Sequence, residues 1–294
     1  MRIASLLPAA TEIVGALGLA DDLVAVTFEC DRPEGIRATR PVVVDTALSA
    51  GLTPGEIDAV VRERAARGLP QYELDRDALR DAAPDLVLTQ DLCRVCALPE
   101  STVTEALADL HLDAAVLTID PHTLDEVLDA VAAVARAAGA PDAGTDLVAG
   151  LQDRLTAIDQ AVRQRPRPRV LALEWVDPPF LPGHWVPAMV RRAGGEPLAG
   201  IDGGRSVATT WDRIADEAPD VVLVAPCGFG LDDAVAQAGA VREHLQDTPI
   251  VAIDSASYVV RAGPRLVDGI EAIAHALHPE VVPAPPPGRI RALS

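Results

Sequence analysis

Short apolar runs alternate with stretches of helical period from the first residues to about residue 140, and the same alternation restarts at residue 169. Residues 2–7 predict a strand, and residues 11–17 predict a helix stopped by Gly18. The next strand is predicted over 23–26, a charged helix with Pro54 at its start over 54–67, and a short turn over 79–82. Leu86, Val87 and Leu88 follow Pro84 as a buried strand, and helices over 100–110 and 123–138 bracket another strand over 114–119. Leu147, Leu151, Leu155, Ile158 and Val162 then recur every three or four residues. They mark one face of a helix over 144–164, about 30 Å long at 1.5 Å per residue.

Pro166 and Pro168 end that helix, and RVLALE at 169–174 echoes RIASLL at 2–7. Helices are predicted over 186–193, 211–217, 232–244 and 264–277, with strands over 220–224 and 249–253. The tail from Pro279 holds five prolines and no strand or helix period, so it is expected to be extended and mobile. Alternating strand and helix makes the chain an α/β protein of two Rossmann-like lobes joined by a single long backbone helix. The predicted boundaries are an N-terminal lobe over 1–142, a linking helix over 143–166, a C-terminal lobe over 167–279 and a tail over 280–294.

A chain of 294 residues is long enough for each lobe to bury its own core. Its formal net charge of -19 argues against nucleic acid, which binds through clustered Lys and Arg. The apolar runs are strand-length, short of the roughly 20 residues that span a bilayer. The first residues enter a strand at once, with no visible export signal, so a cytoplasmic location is expected, where cysteines stay reduced. A truncated start would instead place the chain on the periplasmic or extracellular side.

Loops at the carboxyl ends of parallel strands line the crevice of an open sheet. Gln90, Cys93 and Cys96 occupy one such loop, Phe28, Glu29 and Cys30 a second, and Cys227 with Phe229 a third. At 174–185 a strand runs into a loop with three prolines, Trp175, Phe180, His184 and Trp185, in a chain that is only 3% aromatic. Rigid rings on a stiff loop suit a large planar or macrocyclic ligand, the alternative being that Phe180 and Trp185 pack beneath the loop and only Trp175 is available. Cys93 and Cys96, spaced C-x-x-C, suit a soft metal, a reversible disulfide or plain packing. A four-ligand metal site would recruit Cys30, Cys227, His184 or Glu29. Arg205 and Arg261 lie in Gly-containing loops fit to clamp an anion or to pair on the surface, and Tyr258 either stacks on a ligand or packs on the last helix. No dinucleotide, Walker or Ser-His-Asp pattern stands out, which favours a binding protein over an enzyme.

With SLLPAATEI at 5–13, FECDRP at 28–33, TQDLCRVCA at 89–97, EWVDPPFLPGHWVPAMVRRAGG at 174–195, PCGFG at 226–230 and RAGPRLVDGIEAIAHALHP at 261–279, the chain resembles cobalamin-binding proteins. More broadly, it is similar to the helical-backbone class of periplasmic solute-binding proteins that serve cobalamin, haem and siderophore ABC transporters. The resemblance spans residues 2–279 and implies a non-catalytic protein holding a corrinoid or haem between two lobes, with an ABC transporter permease as partner. It also implies that Ser5, Leu6 and Pro8, Phe28 and Glu29, Gln90, Trp175, Phe180, Trp185, Phe229 and Arg261 face that ligand, with thiols or His184 near its metal. A competing expectation is a metal or redox protein in which Cys30, Cys93, Cys96 and Cys227 ligate zinc, copper or an iron-sulfur cluster. Exported members of the class carry a signal or lipid anchor, and neither is visible here, which leaves storage, sensing or delivery in the cytoplasm as the expected setting.

Overall fold

The computed structural model describes residues 1–90, 98 and 100–293. The chain forms two compact units, Met1–Pro121 with Glu126–Ala149, and His122–Asp125 with Gly150–Ser294.

The first unit runs β1 (Ile3–Ser5), α1 (Pro8–Ala16), β2 (Leu23–Thr27), α2 (Ile36–Thr39), β3 (Val42–Thr46), α3 (Pro54–Ala66), β4 (Tyr72–Leu74), α4 (Arg76–Ala82), β5 (Leu86–Thr89), α5 (Glu100–Asp109), β6 (Ala115–Thr118) and α6 (Leu124–Ala137). Its sheet has the order β4-β3-β2-β1-β5-β6, parallel except where β4 pairs antiparallel with β3. Ile3, Ala4, Leu23, Ala25, Val26, Val87 and Leu88 are wholly buried. Strands covered on both faces carry continuous apolar runs, which is why these segments show no alternation. Winding proceeds outward from β1 through β2 and β3, then reverses through β5 and β6, so the sheet switches direction between β1 and β5.

A long helix, α7 (Pro141–Val162), carries the chain from the first unit into the second. It starts three residues before the predicted helix because Pro141 has the fixed φ that suits a first helical position. Leu151, Leu155, Ile158 and Val162 are buried along it. Arg154 projects from the same helix.

The second unit continues with β7 (Arg169–Leu173), β8 (Trp175–Val176), β9 (Pro179–Leu181), α8 (Val186–Arg192), β10 (Glu196–Pro197), β11 (Val207–Ala208), α9 (Trp211–Asp216), β12 (Val221–Val224), α10 (Leu231–His244), β13 (Ile250–Ile253), α11 (Ser255–Tyr258), α12 (Arg265–Leu277) and β14 (Ile290–Leu293). Its main sheet has the order β10-β7-β12-β13-β14, parallel except for β14, and its switch point falls between β7 and β12. A separate antiparallel sheet, β11-β9-β8, stands at the carboxyl end of β7.

Three local expectations are corrected. The turn predicted at 79–82 is the end of α4, which Asp75 caps by accepting the Ala78 N–H at 2.9 Å and which buries Leu79 and Ala82. The segment at 174–185 is a β-hairpin with a turn at Asp177 and Pro178 rather than an open loop. The tail, expected to lack a strand, ends in β14, where Ile290 pairs with Ile253 and Leu293 with Ile250. Pairing with an existing edge supplies what the local pattern lacks.

Candidate functional site

In the first unit, the turn from β1 to α1 is closed by buried polar groups. The Ser5 hydroxyl donates to the Leu7 carbonyl at 2.9 Å, and the Thr11 hydroxyl donates to Ser5 Oγ at 2.8 Å. Thr11 Oγ1 also lies 2.9 Å from Cys30 Sγ, which accepts the Thr27 N–H at 3.4 Å. Ser5, Leu6 and Cys30 have exposures of 0%, 2% and 1%. These bonds point inward and tie β1 to the loop after β2, so Ser5, Leu6 and Cys30 are buried beneath the turn rather than exposed on it. Pro8, Phe28, Glu29 and Gln90 are half-buried at the carboxyl edge of the sheet. The Phe28 ring lies 6.1 Å from that of Tyr72, and the Glu29 N–H donates to Thr27 Oγ1 at 3.2 Å. Cys93 and Cys96 lie outside the described residues. Beyond them, the chain returns where the Leu98 carbonyl accepts the Thr89 hydroxyl at 3.1 Å.

In the second unit, the loops after β7 and β12 flank the switch point and are joined by two backbone bonds. Ala225 N–H donates to the Leu173 carbonyl and Cys227 N–H to the Glu174 carbonyl, both at 2.9 Å. This pairing brings the rings of Trp175 and Phe229 to 5.5 Å between centroids, tilted by 53°, with both side chains half-buried. The Trp175 indole N–H donates to the Asp177 carbonyl at 3.0 Å, which locks the ring over its own hairpin. Phe180, half-buried, faces Trp175 across β8 and β9 in the strand register. Cys227 is exposed beside them.

Trp185 differs from Trp175. It is 4% exposed and its indole N–H donates to the Val259 carbonyl at 2.7 Å, which anchors it among buried residues. Tyr258 is likewise engaged: the guanidinium groups of Arg265 and Arg289 lie 4.6 and 5.1 Å from its ring centroid. Its expected stacking face is therefore met by cations from its own unit. Arg261 stands half-buried just before α12.

His184 follows Gly183 at the end of the hairpin and has a left-handed φ of 49°. Its N–H donates to the Gly204 carbonyl at 2.6 Å, and its carbonyl accepts the Gly203 N–H at 3.0 Å. A side chain on Gly183 would meet the backbone of Arg205 and Ser206 at 2.5 Å, so only glycine allows this approach. The Glu174 carboxylate fixes the turn further, accepting the Gly183 N–H at 3.1 Å and the Ser206 hydroxyl. The His184 ring lies 6.0 Å from that of His122. His122 and the clamping role of Glu174 were not among the sequence candidates. A histidine just before a helix has no motif of its own, and the contact joins residues 62 positions apart.

Among the described residues no group of three or more His, Cys, Asp or Glu is arranged to hold a metal; two of the four thiols of the cysteine-ligated expectation, Cys93 and Cys96, lie outside them. No helix among them is long and apolar enough to cross a membrane.

Two sheets, each with a carboxyl-edge switch point, in two units that share the residues of one long helix, define a two-lobed α/β architecture. The chain belongs to the family described as periplasmic binding protein, which matches residues 3–256. It is 24% identical over 293 residues to an uncharacterized ABC transporter substrate-binding lipoprotein, YvrC, of Bacillus subtilis, covering 95% of this chain and 80% of that one. The fold is similar to that of the periplasmic haem-binding protein RhuT from Roseiflexus sp. RS-1, with a TM-score of 0.69, 22% identity, and coverage of 95% and 98% of the two chains. It is similar also to the periplasmic vitamin B12 binding protein BtuF of Vibrio cholerae, with a TM-score of 0.67, 20% identity, and coverage of 94% and 96%.

The protein is thus a solute-binding protein and not an enzyme. The expectation of a cytoplasmic location is corrected: family membership and the lipoprotein relative point to the outer side of the cytoplasmic membrane.

Proposed function

We propose that the protein captures a metal-bearing macrocycle, a corrinoid or a haem, on the aromatic rim of its second unit and delivers it to an ABC transporter permease. The observation that carries this reading is the Trp175–Phe229 ring pair, half-buried at a switch point and held by backbone bonds between the two loops. Two rigid rings lose little entropy on binding, and each offers a flat face to a conjugated ligand. Phe180 extends the apolar strip, and Cys227 adds a polarizable edge. Pro8, Phe28, Glu29, Gln90 and Arg261, each at its own unit's carboxyl edge or before α12, are proposed as further contacts. Solved proteins of this fold that bind haem or vitamin B12 are the reason for naming these two ligands.

Native mass spectrometry of protein produced in cells supplied with cobalamin or with haem is the test. A retained mass equal to one macrocycle supports the reading; bare protein from both cultures counts against it.

A further inference from the structure

We infer that His122 and His184 together form a site for a divalent transition-metal ion, with two imidazole donors from the protein and open positions for water or an incoming chelator. The site lies within the second unit and does not depend on the macrocycle reading.

The backbone supports it first. His184 adopts a left-handed conformation that side-chain-bearing residues rarely take. Its surroundings enforce it through the paired hydrogen bonds with Gly203 and Gly204, the Gly183 contact with residues 205–206, and the Glu174 clamp. Backbone strain maintained by its environment concentrates at binding sites. The effect of this frame is to fix the imidazole next to His122, whose neighbour Thr123 approaches the same glycine loop: a Cβ built on Gly203 would sit 3.6 Å from Thr123 Cγ2.

Ring spacing supports it second. With metal–nitrogen bonds of about 2.0–2.1 Å and ring nitrogens about 1.1 Å from their centroids, two imidazoles sharing an ion stand about 5.2 Å apart at a tetrahedral angle and about 6.4 Å apart in line. The His122–His184 separation of 6.0 Å, with the planes tilted by 34°, falls inside that interval. Both His122 and His184 are half-buried, which restricts their motion, and the His184 Nε2 atom is itself buried, which shields it from competing bulk water. Imidazole pairs suit copper, nickel and zinc, and copper(II) heads that affinity order.

The test titrates copper(II), nickel(II) and zinc(II) salts separately into the metal-free full chain by calorimetry, with electron paramagnetic resonance of the copper form. The expected result is one equivalent of copper bound more tightly than zinc, with two nitrogen donors resolved. Affinity falls about tenfold or more in His122→Gln and in His184→Asn, and is unchanged in His111→Gln. If His184→Asn perturbs folding, His122→Gln carries the test, because its residue lies outside the strained turn. Absence of binding, a single nitrogen donor, or undiminished affinity in His122→Gln overturns the inference. Macrocycle binding without metal-ion binding sinks this site and leaves the proposed function standing; ion binding without macrocycle binding does the reverse.

Discussion

Trp175 and Phe229, 54 residues apart in the chain, stand with ring centroids 5.5 Å from one another because β7 and β12 are sheet neighbours on either side of a switch point. Phe229→Ala removes one ring of the proposed rim without opening the core. Its expected effect is a loss of macrocycle affinity of about ten- to a hundredfold, the scale of about 1.5–3 kcal/mol for a buried apolar side chain. The thermal midpoint should stay near that of the parent. Parallel fluorescence titrations of the two proteins check this, and equal affinities would remove Phe229 from the site.

Trp185 should behave in the opposite way. Trp185→Ala leaves a cavity in the core and deprives the Val259 carbonyl of its donor, a destabilisation of about 3–5 kcal/mol by comparison with other large-to-small core changes. Trp185→Phe keeps most of the volume and loses the donor, for about 1–3 kcal/mol. Chemical denaturation measures both. A Trp185→Ala protein of parental stability and reduced ligand affinity would return this residue to the rim.

Arg154 joins α7 to α12 through bonds to both oxygens of Glu271, at 2.8 and 2.7 Å, and one to Asp268 at 2.5 Å. The bond with Glu271 is the main reason its pKa is held above the ordinary arginine value, with Asp268 adding to the effect. A raised value means the contribution is complete below the unfolded pKa and is lost only as pH rises through the folded one, in strong alkali. The side chain is 38% exposed, so solvent screening limits the effect. Arg154→Met should cost about 1 kcal/mol, constant across neutral and mildly alkaline pH and smaller in high salt. Denaturation at two pH values and two salt concentrations checks it, and a cost that changes between neutral and mildly alkaline pH would contradict it.

Thr53 and Glu56 cap α3 reciprocally: the Thr53 N–H and hydroxyl each donate to the Glu56 carboxylate at 2.8 Å, and Thr53 Oγ1 accepts the Glu56 N–H. The backbone bond, then the hydroxyl bond, lowers the Glu56 pKa from 4.5. A lowered folded value contributes stability above the unfolded pKa that is lost as pH falls through the folded one. Glu56→Gln, which removes the carboxylate charge and leaves the Thr53 hydroxyl to accept the residue-56 N–H, should therefore reduce helicity at neutral pH and match the parent in acid, where the parent carboxyl is itself uncharged. Circular dichroism across that range decides the matter, and a deficit that persists in acid would contradict it.

The elements legible in the sequence are those whose evidence is local. The apolar runs of β1, β5, β7, β12 and β13 and the three-and-four spacing along α7 each announce one element. Several elements that escaped notice depend on partners: β4 needs the edge of β3, β14 needs β13, and β8 and β9 need each other, whereas β3 escaped although Val42, Val43 and Val44 form a local apolar run. The same division runs through the candidate site. Aromatic residues at 174–185 point to a special loop, which the structure makes a hairpin, but the sequence cannot separate Trp175 from Trp185, because the difference is a hydrogen bond to residue 259. Ser5 ends the expected strand and Cys30 lies in the expected loop, yet the hydroxyl of Thr11 bonds or touches both from within.

The most direct measurement is a visible-absorption titration of the ligand-free protein with aquocobalamin and, separately, with haemin, run alongside Trp175→Ala. The predicted result is a saturable one-to-one spectral change with one of the two macrocycles, weakened at least about tenfold in Trp175→Ala. No spectral change with either macrocycle, or an identical titration curve in the variant, would contradict binding at the aromatic rim.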